Sequence, residues 1–237
     1  MSKLKMKKSL IISILTITWF CSYGQSSNSK TSEIAIGSER VDSTKINSRQ
    51  LSQIPDLEKY IYTDTTYTLS TGNGITIQNS YPKGGGIERN GTQYVDASGK
   101  SYAFAVFWTR IINETNSPLE LNINFPADSF AIFTPQDSYL KLLLPTDILT
   151  YDKLASFNYG LTGIKFFLDA NFNKATKLQK TINPNEEYIF YIATLSYQAA
   201  GTPRAALILK EQDLYYRMSI SPHGSGIIPC GNIALKK

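Results

Sequence analysis

The sequence predicts an all-β fold, an antiparallel β-sandwich with one short helix, and three observations carry that prediction. About ten short apolar or alternating runs are separated by turn residues. Only Gly163 to Phe172 places apolar residues (Ile164, Phe167, Leu168) at helical spacing, framed by Gly163 and Asn171. Between Tyr102 and Phe125 the chain writes two long strands joined by turn residues.

The first of these strands, Tyr102 to Ile112, is apolar on both faces. Tyr102, Phe104, Val106, Trp108 and Ile112 share one, and Ala103, Ala105, Phe107 and Ile111 share the other. The second, Leu119 to Phe125, alternates strictly: Leu119, Leu121, Ile123 and Phe125 point one way, and Glu120, Asn122 and Asn124 the other. Asn113 to Pro118 supplies the connection, so the pair is expected to be a hairpin. A two-layer sandwich covers only one face of the first strand. The other needs the segment around Ile164 to Phe172, or it is an exposed aromatic patch.

In chain order, a short apolar motif spans 51 to 60, and strands are expected over Tyr60 to Leu69 and Ile75 to Asn79. A mobile loop follows at Pro82 to Gly86, then Thr92 to Asp96 leads into the central pair. Beyond Pro126, Ser129 to Phe133 and Tyr139 to Leu144 read as strands. The last third holds Lys177 to Ile182, Tyr188 to Tyr197, Ala205 to Lys210, Tyr215 to Ile220 and Ile227 to Leu235. The Asn183-Pro184-Asn185-Glu186 turn between two of these strands resembles the corner of an immunoglobulin-like or fibronectin-like sandwich. That resemblance covers some twenty residues and implies architecture alone.

The N-terminus gives an address. Lys3, Lys5, Lys7 and Lys8 precede an uncharged run from Ser9 to Phe20, about a dozen residues and short of the roughly 20 that span a bilayer. A cleaved signal peptide is expected over 1–24, since Ser22 and Gly24 are small residues before Gln25. The alternative is a lipid anchor at Cys21, which the bulky Phe20 disfavours. Residues 25–50, rich in Ser, Asn, Thr and Lys, read as a flexible polar tether, and 51–237 as a single sandwich domain.

Cleavage removes four lysines and no acid. The whole chain has 24 basic and 19 acidic residues, the mature part 20 and 19, so the basic pI belongs to the leader. Nucleic-acid and anionic-membrane binding lose their support. Cys230 would be left without a disulfide partner, most simply as a small buried side chain.

Chemical motifs are sparse. His223 is the single histidine. With Cys230 or a serine as nucleophile it would make the base of a hydrolase, yet no nucleophile-elbow motif is present. One histidine and one thiol do not build the usual zinc sites. Asp169, Asn171 and Asn173 open like a calcium loop, but Lys174 and Lys180 occupy its glycine and glutamate positions. Glu186 and Glu187 are adjacent and would face opposite sides of a strand. No phosphate-cradling glycine loop is found, so no catalytic residue, metal or cofactor is expected.

The aromatic residues remain. Fourteen tyrosines follow the leader, and Tyr102, Phe107 and Trp108 on the central strand are the candidate binding residues. The expected function is that of an exported envelope protein, periplasmic or at the cell surface, acting as a non-catalytic binding or assembly module. Its partner would be an envelope protein or a glycan. The alternatives are a secreted hydrolase using His223 and a structural homo-oligomeric subunit.

Overall fold

A computed structural model describes residues 56–68, 74–134, 137–199 and 201–236. The expected leader, the tether and Cys21 lie outside the described residues. Those described fall in one compact unit, Asp42–Lys237.

Apolar alternation becomes strand almost everywhere it was written. β1 (Ile61–Thr68) and β2 (Gly74–Ser80) are followed by two-residue strands, β3 (Lys83–Gly84) and β4 (Tyr94–Val95), and by the long β5 (Ser101–Asn113). β6 (Leu119–Phe125) and β7 (Tyr139–Leu143) precede α1 (Ile164–Asn171), the one α-helix among the described residues. β8 (Thr176–Ile182), β9 (Glu187–Tyr197), β10 (Thr202–Lys210), β11 (Asp213–Ser221) and β12 (Gly224–Leu235) complete the chain. The protein is an all-β sandwich of two antiparallel sheets. One runs β1-β2-β5-β9-β7, with β3 and β4 also paired to β5, and the other runs β10-β11-β12-β6-β8.

β5 and β6 form no hairpin. They lie in different sheets, and 113–118 is an arch from one to the other. Buried Asn113 builds this corner: its Nδ2 donates to the carbonyls of Ser117 and Ile182, both at 2.9 Å, and its Oδ1 accepts from Thr115. The β8 to β9 connection crosses between the sheets as well, and Asn185 N–H donates to the Asn113 carbonyl at 2.8 Å. One asparagine therefore ties two arches together.

Two further expectations are corrected. Ser129 to Phe133 is no strand, only a single bridge from Phe130 to Leu140. The glycine-rich stretch at Pro82 to Gly86 is no plain loop, because Lys83 and Gly84 pair with Val106 and Ala105 of β5. Gly84 permits this: at φ 146° its missing Cβ would lie 2.4 Å from the Phe104 carbonyl oxygen.

The two apolar faces of β5 enter two separate cores. Ala105, Phe107 and Ile111 pack between the sheets with Leu121, Ile192, Leu207 and Met218. Phe104, Val106 and Trp108 pack under a third layer, in which Leu154, Tyr159, Ile164 and Leu168 cover the first sheet from outside. The short helix thus covers the face that two layers leave open. Lysines hold this layer down. Lys83 Nζ donates to the Leu154 and Ser156 carbonyls at 2.6 and 2.7 Å and stands 4.5 Å from the Tyr159 ring centre; Lys141 Nζ donates to the Phe172 carbonyl at 3.0 Å. Burial lowers the pKa of both amines.

A polar row crosses the same outer face. Asp64 accepts from Gln78 Nε2, Gln78 Oε1 accepts from Arg110, and Arg110 is ion-paired with Glu187, which also accepts from the Tyr151 hydroxyl. Each buried polar group here has its partner on the next strand or the next layer.

Candidate functional site

Register brings four tyrosines into one row at the end of the first sheet. Tyr94 of β4 pairs with Tyr102 of β5; Ala103 pairs with Ser196, which sets Tyr102 across from Tyr197 of β9; and Tyr197 pairs with Tyr139 of β7. Ring centres follow one another at 6.0 Å (Tyr94 to Tyr102), 5.6 Å (Tyr102 to Tyr197) and 5.1 Å (Tyr197 to Tyr139). Phe172, just past α1, closes over Tyr94 and Tyr102 at 5.8 and 5.4 Å. These are favourable aromatic separations, and each pair adds about 0.5–1.5 kcal/mol beyond its buried area.

The row grades from dry to wet. Tyr94 and Tyr102 are both 1% exposed, whereas Tyr139 and Tyr197 are half-buried and open onto a groove of about 490 Å³. Lys100, Ser129, Asp137 and Gln198 form its polar rim, and Lys100 Nζ stands 5.2 Å from the Tyr197 ring centre and 5.9 Å from that of Tyr139.

A hydrogen-bonded chain fixes the floor. The Tyr139 and Tyr102 hydroxyls are 2.7 Å apart, and the Tyr102 hydroxyl donates to Asp96 Oδ2 at 2.9 Å. Asp96 is itself held by Ser98 Oγ and by the N–H groups of Ser98 and Lys100. Desolvation pulls its pKa up, but the bonds from Ser98, Lys100 and Tyr102 outweigh it and bring the carboxyl down to about 2. Burial, then the hydrogen bonds to Tyr139 and Asp96, push the Tyr102 phenol up. At neutral pH the carboxylate is charged and the phenol keeps its proton.

None of the three candidate residues lines this groove; Tyr102, 1% exposed, lies beneath it with its hydroxyl bonded to Tyr139 and Asp96. Trp108 is fully buried against Tyr159, and Phe107, 2% exposed, faces the opposite core. Their rings are spent on packing within the chain. Tyr139 and Tyr197, which carry the open end, were not singled out. The usable signal was positional: all four tyrosines stand at or one residue from a strand end.

His223 and Cys230 are not brought together. His223 lies in the turn between β11 and β12, with Nδ1 3.1 Å from the Thr134 carbonyl. Cys230 is seven residues on along an extended chain, roughly 20 Å away, and points into the inter-sheet core. Burial pushes its thiol up to about 12, so it is protonated at neutral pH. Glu186 caps the Asn183 turn while Glu187 is buried on Arg110, so the adjacent carboxylates serve separate structures. Among the described residues no cluster of three or more His, Cys, Asp or Glu could hold a metal ion, and no helix is long and apolar enough to cross a membrane.

The fold and this groove define a β-sandwich with an outer layer and a tyrosine-floored surface site. The chain matches no protein-family model and no curated protein.

Proposed function

We propose that the chain is an exported envelope protein acting as a non-catalytic binding module, with the tyrosine groove as its ligand surface and a glycan as the ligand. The lysine-rich, then uncharged N-terminus supports export. The observation that carries the binding reading is the Tyr139–Tyr197 pair, two rings 5.1 Å apart on the floor of a polar-rimmed groove. Such rings offer flat apolar faces to the C–H side of a pyranose, while Lys100, Ser129, Asp137 and Gln198 offer donors and acceptors to its hydroxyls. At about 490 Å³ the groove lies within the ordinary range of small-ligand sites and suits one or two sugar rings. None of the large apolar side chains exposed elsewhere (Tyr62, Tyr81, Val95, Ile148, Phe166, Ile227, Leu235) lines it, which favours a compact polar ligand over a broad protein interface.

The test is calorimetric titration with soluble β-1,4-linked oligosaccharides, whose equatorial substituents leave the ring faces open. Binding that Tyr197→Ala weakens about tenfold, a loss of about 1.4 kcal/mol, is the expected result. Absence of binding at millimolar sugar, or binding indifferent to Tyr139→Ala and Tyr197→Ala, overturns it. Export is tested separately: mass spectrometry of the N-terminus from fractionated cells should find Gln25 free or Cys21 lipidated, and an intact Met1 refutes it.

A further inference from the structure

The loop between β3 and β4 folds back on itself and grips the outer layer. Its two limbs meet where the Ile87 N–H donates to the Thr92 carbonyl at 2.8 Å, and Gly86 lies so near Gly91 that its missing Cβ would stand 2.6 Å from the Gly91 carbonyl carbon. The Gly86 carbonyl accepts from Asn158 Nδ2 at 3.2 Å, and the Arg89 guanidinium stands 5.5 Å from the Phe157 ring centre. The loop is therefore a clasp on 157–158. Its tip is the exposed sequence Asn90-Gly91-Thr92.

The tip is arranged for one reaction, attack of the Gly91 backbone nitrogen on the side-chain amide of Asn90. Gly91 has no side chain to shield that nitrogen; it sits at φ 84°, and a Cβ built there would meet nothing within 4 Å. Asn90 Oδ1 accepts from Thr92 Oγ1 at 2.6 Å and from the Thr92 N–H at 3.0 Å. Two donors on one carbonyl oxygen stabilise the charge that gathers there when a nucleophile adds to its carbon. One bond opposes the attack. The Gly91 N–H donates to the Glu88 carbonyl at 3.0 Å, and this bond has to be released first.

We propose that Asn90 is a site of spontaneous deamidation, activated by Thr92, and that its isoaspartate product loosens the clasp on the outer layer. The Gly91 nitrogen gives its proton to solvent and bonds to Asn90 Cγ; the side-chain nitrogen takes a proton from solvent and leaves as ammonia. A succinimide ring remains. Water then opens it at either carbonyl, giving aspartate or isoaspartate, and no oxidant or reductant takes part. Either product places a new carboxylate near exposed Glu88. Isoaspartate also routes the main chain through Cβ and Cγ, which lengthens a loop whose limbs already touch. The grip on Phe157 and Asn158 then weakens. The reaction needs no ligand and is independent of the tyrosine groove.

The experiment incubates the mature protein in mildly alkaline buffer and follows the peptide carrying Asn90 by mass spectrometry, with the other Asn-Gly pair of the chain, at 73–74, quantified apart from it. Conversion of Asn90 to aspartate and isoaspartate is expected, faster as pH rises because the attacking nitrogen must lose its proton. Thr92→Val should slow it about fivefold in the folded protein and leave the rate in denaturant unchanged, while Thr92→Ser, which keeps a hydroxyl, should retain the native rate. Hydrogen exchange over 157–160 should be faster in the isoaspartate fraction than in fresh protein. If Asn90 keeps its amide in the folded protein yet loses it in denaturant, or if Thr92→Val reacts as fast as the native chain, the assigned activation is wrong. Isoaspartate formed with no change in exchange over 157–160 overturns the loosening.

Discussion

Asn79 treats Leu207 as a neighbouring strand would. Leu207 N–H donates to Asn79 Oδ1 at 2.8 Å, and Asn79 Nδ2 donates to the Leu207 carbonyl at 3.2 Å. β10 is the edge of the second sheet, and on its free side Leu209 N–H also finds a side chain, the Tyr67 hydroxyl at 3.1 Å. Side chains of the first sheet thus cover an edge that strands leave open, where another chain could otherwise add. Asn79→Ala strips a buried N–H and a buried carbonyl of their partners at once. Urea unfolding should show a loss of about 2–4 kcal/mol.

The Arg110–Glu187 pair predicts an asymmetry. Both side chains are nearly buried, and each has a further partner, Gln78 for the guanidinium and Tyr151 for the carboxylate. Arg110→Met leaves Glu187 charged and unpaired, at a cost of about 3–5 kcal/mol. The double variant Arg110→Met with Glu187→Leu should recover much of that in the same unfolding measurement. A double variant no better than the single would show that the polar row, and not charge balance, holds this face.

Alkaline and acid limbs follow from groups at opposite ends of the scale. Burial, with the Asp169 carboxylate adding to it, pushes the Tyr94 phenol up to about 12, and burial, outweighing an opposing bond to Ser80, does the same for Tyr159. Groups with raised folded values stabilise fully below their unfolded pKa and lose that contribution as pH rises through the folded one. Melting temperature should therefore fall between about pH 10 and 12. Asp96 behaves oppositely. Its value of about 2 gives stability that is present above the ordinary aspartate pKa, about 4, and lost as pH falls through about 2. Asp96→Asn should flatten the acid limb of a melting curve series and leave the alkaline limb in place.

Tyr102→Phe separates floor from surface in the groove. It deletes the hydroxyl that links Tyr139 to Asp96 and leaves the ring contacts standing. Oligosaccharide affinity should drop less than with Tyr197→Ala. An unchanged affinity would mean that Tyr139 needs no positioning.

Much of the fold was legible because period-2 alternation reports burial directly. β6 begins and ends where its alternation does, and the two-faced β5 demanded a covering layer that α1 and its preceding turns supply. The β5–β6 hairpin was misread for a physical reason. Asn, Ser and Pro between two strands serve a hairpin and an inter-sheet arch equally well, and the deciding bonds from Asn113 reach Ile182, 69 positions along the chain. Ser129 to Phe133 has strand composition and finds one bridge, since pairing needs a neighbour as well as a propensity. The tyrosine row stayed hidden because it is a product of register among four strands. No local pattern places Tyr139 beside Tyr197.

The division of β5 between two cores also sets the order in which the molecule opens. The outer layer rests on one face of the first sheet and can lift away while the inter-sheet core stays closed. Amide protons in 151–172 should then exchange with solvent in partial openings. Those of Phe104 to Ile111, paired throughout with β9, flanked on the other edge by β3 at 105–106 and β2 from Thr109, and packed on both faces, should exchange only when the whole domain unfolds.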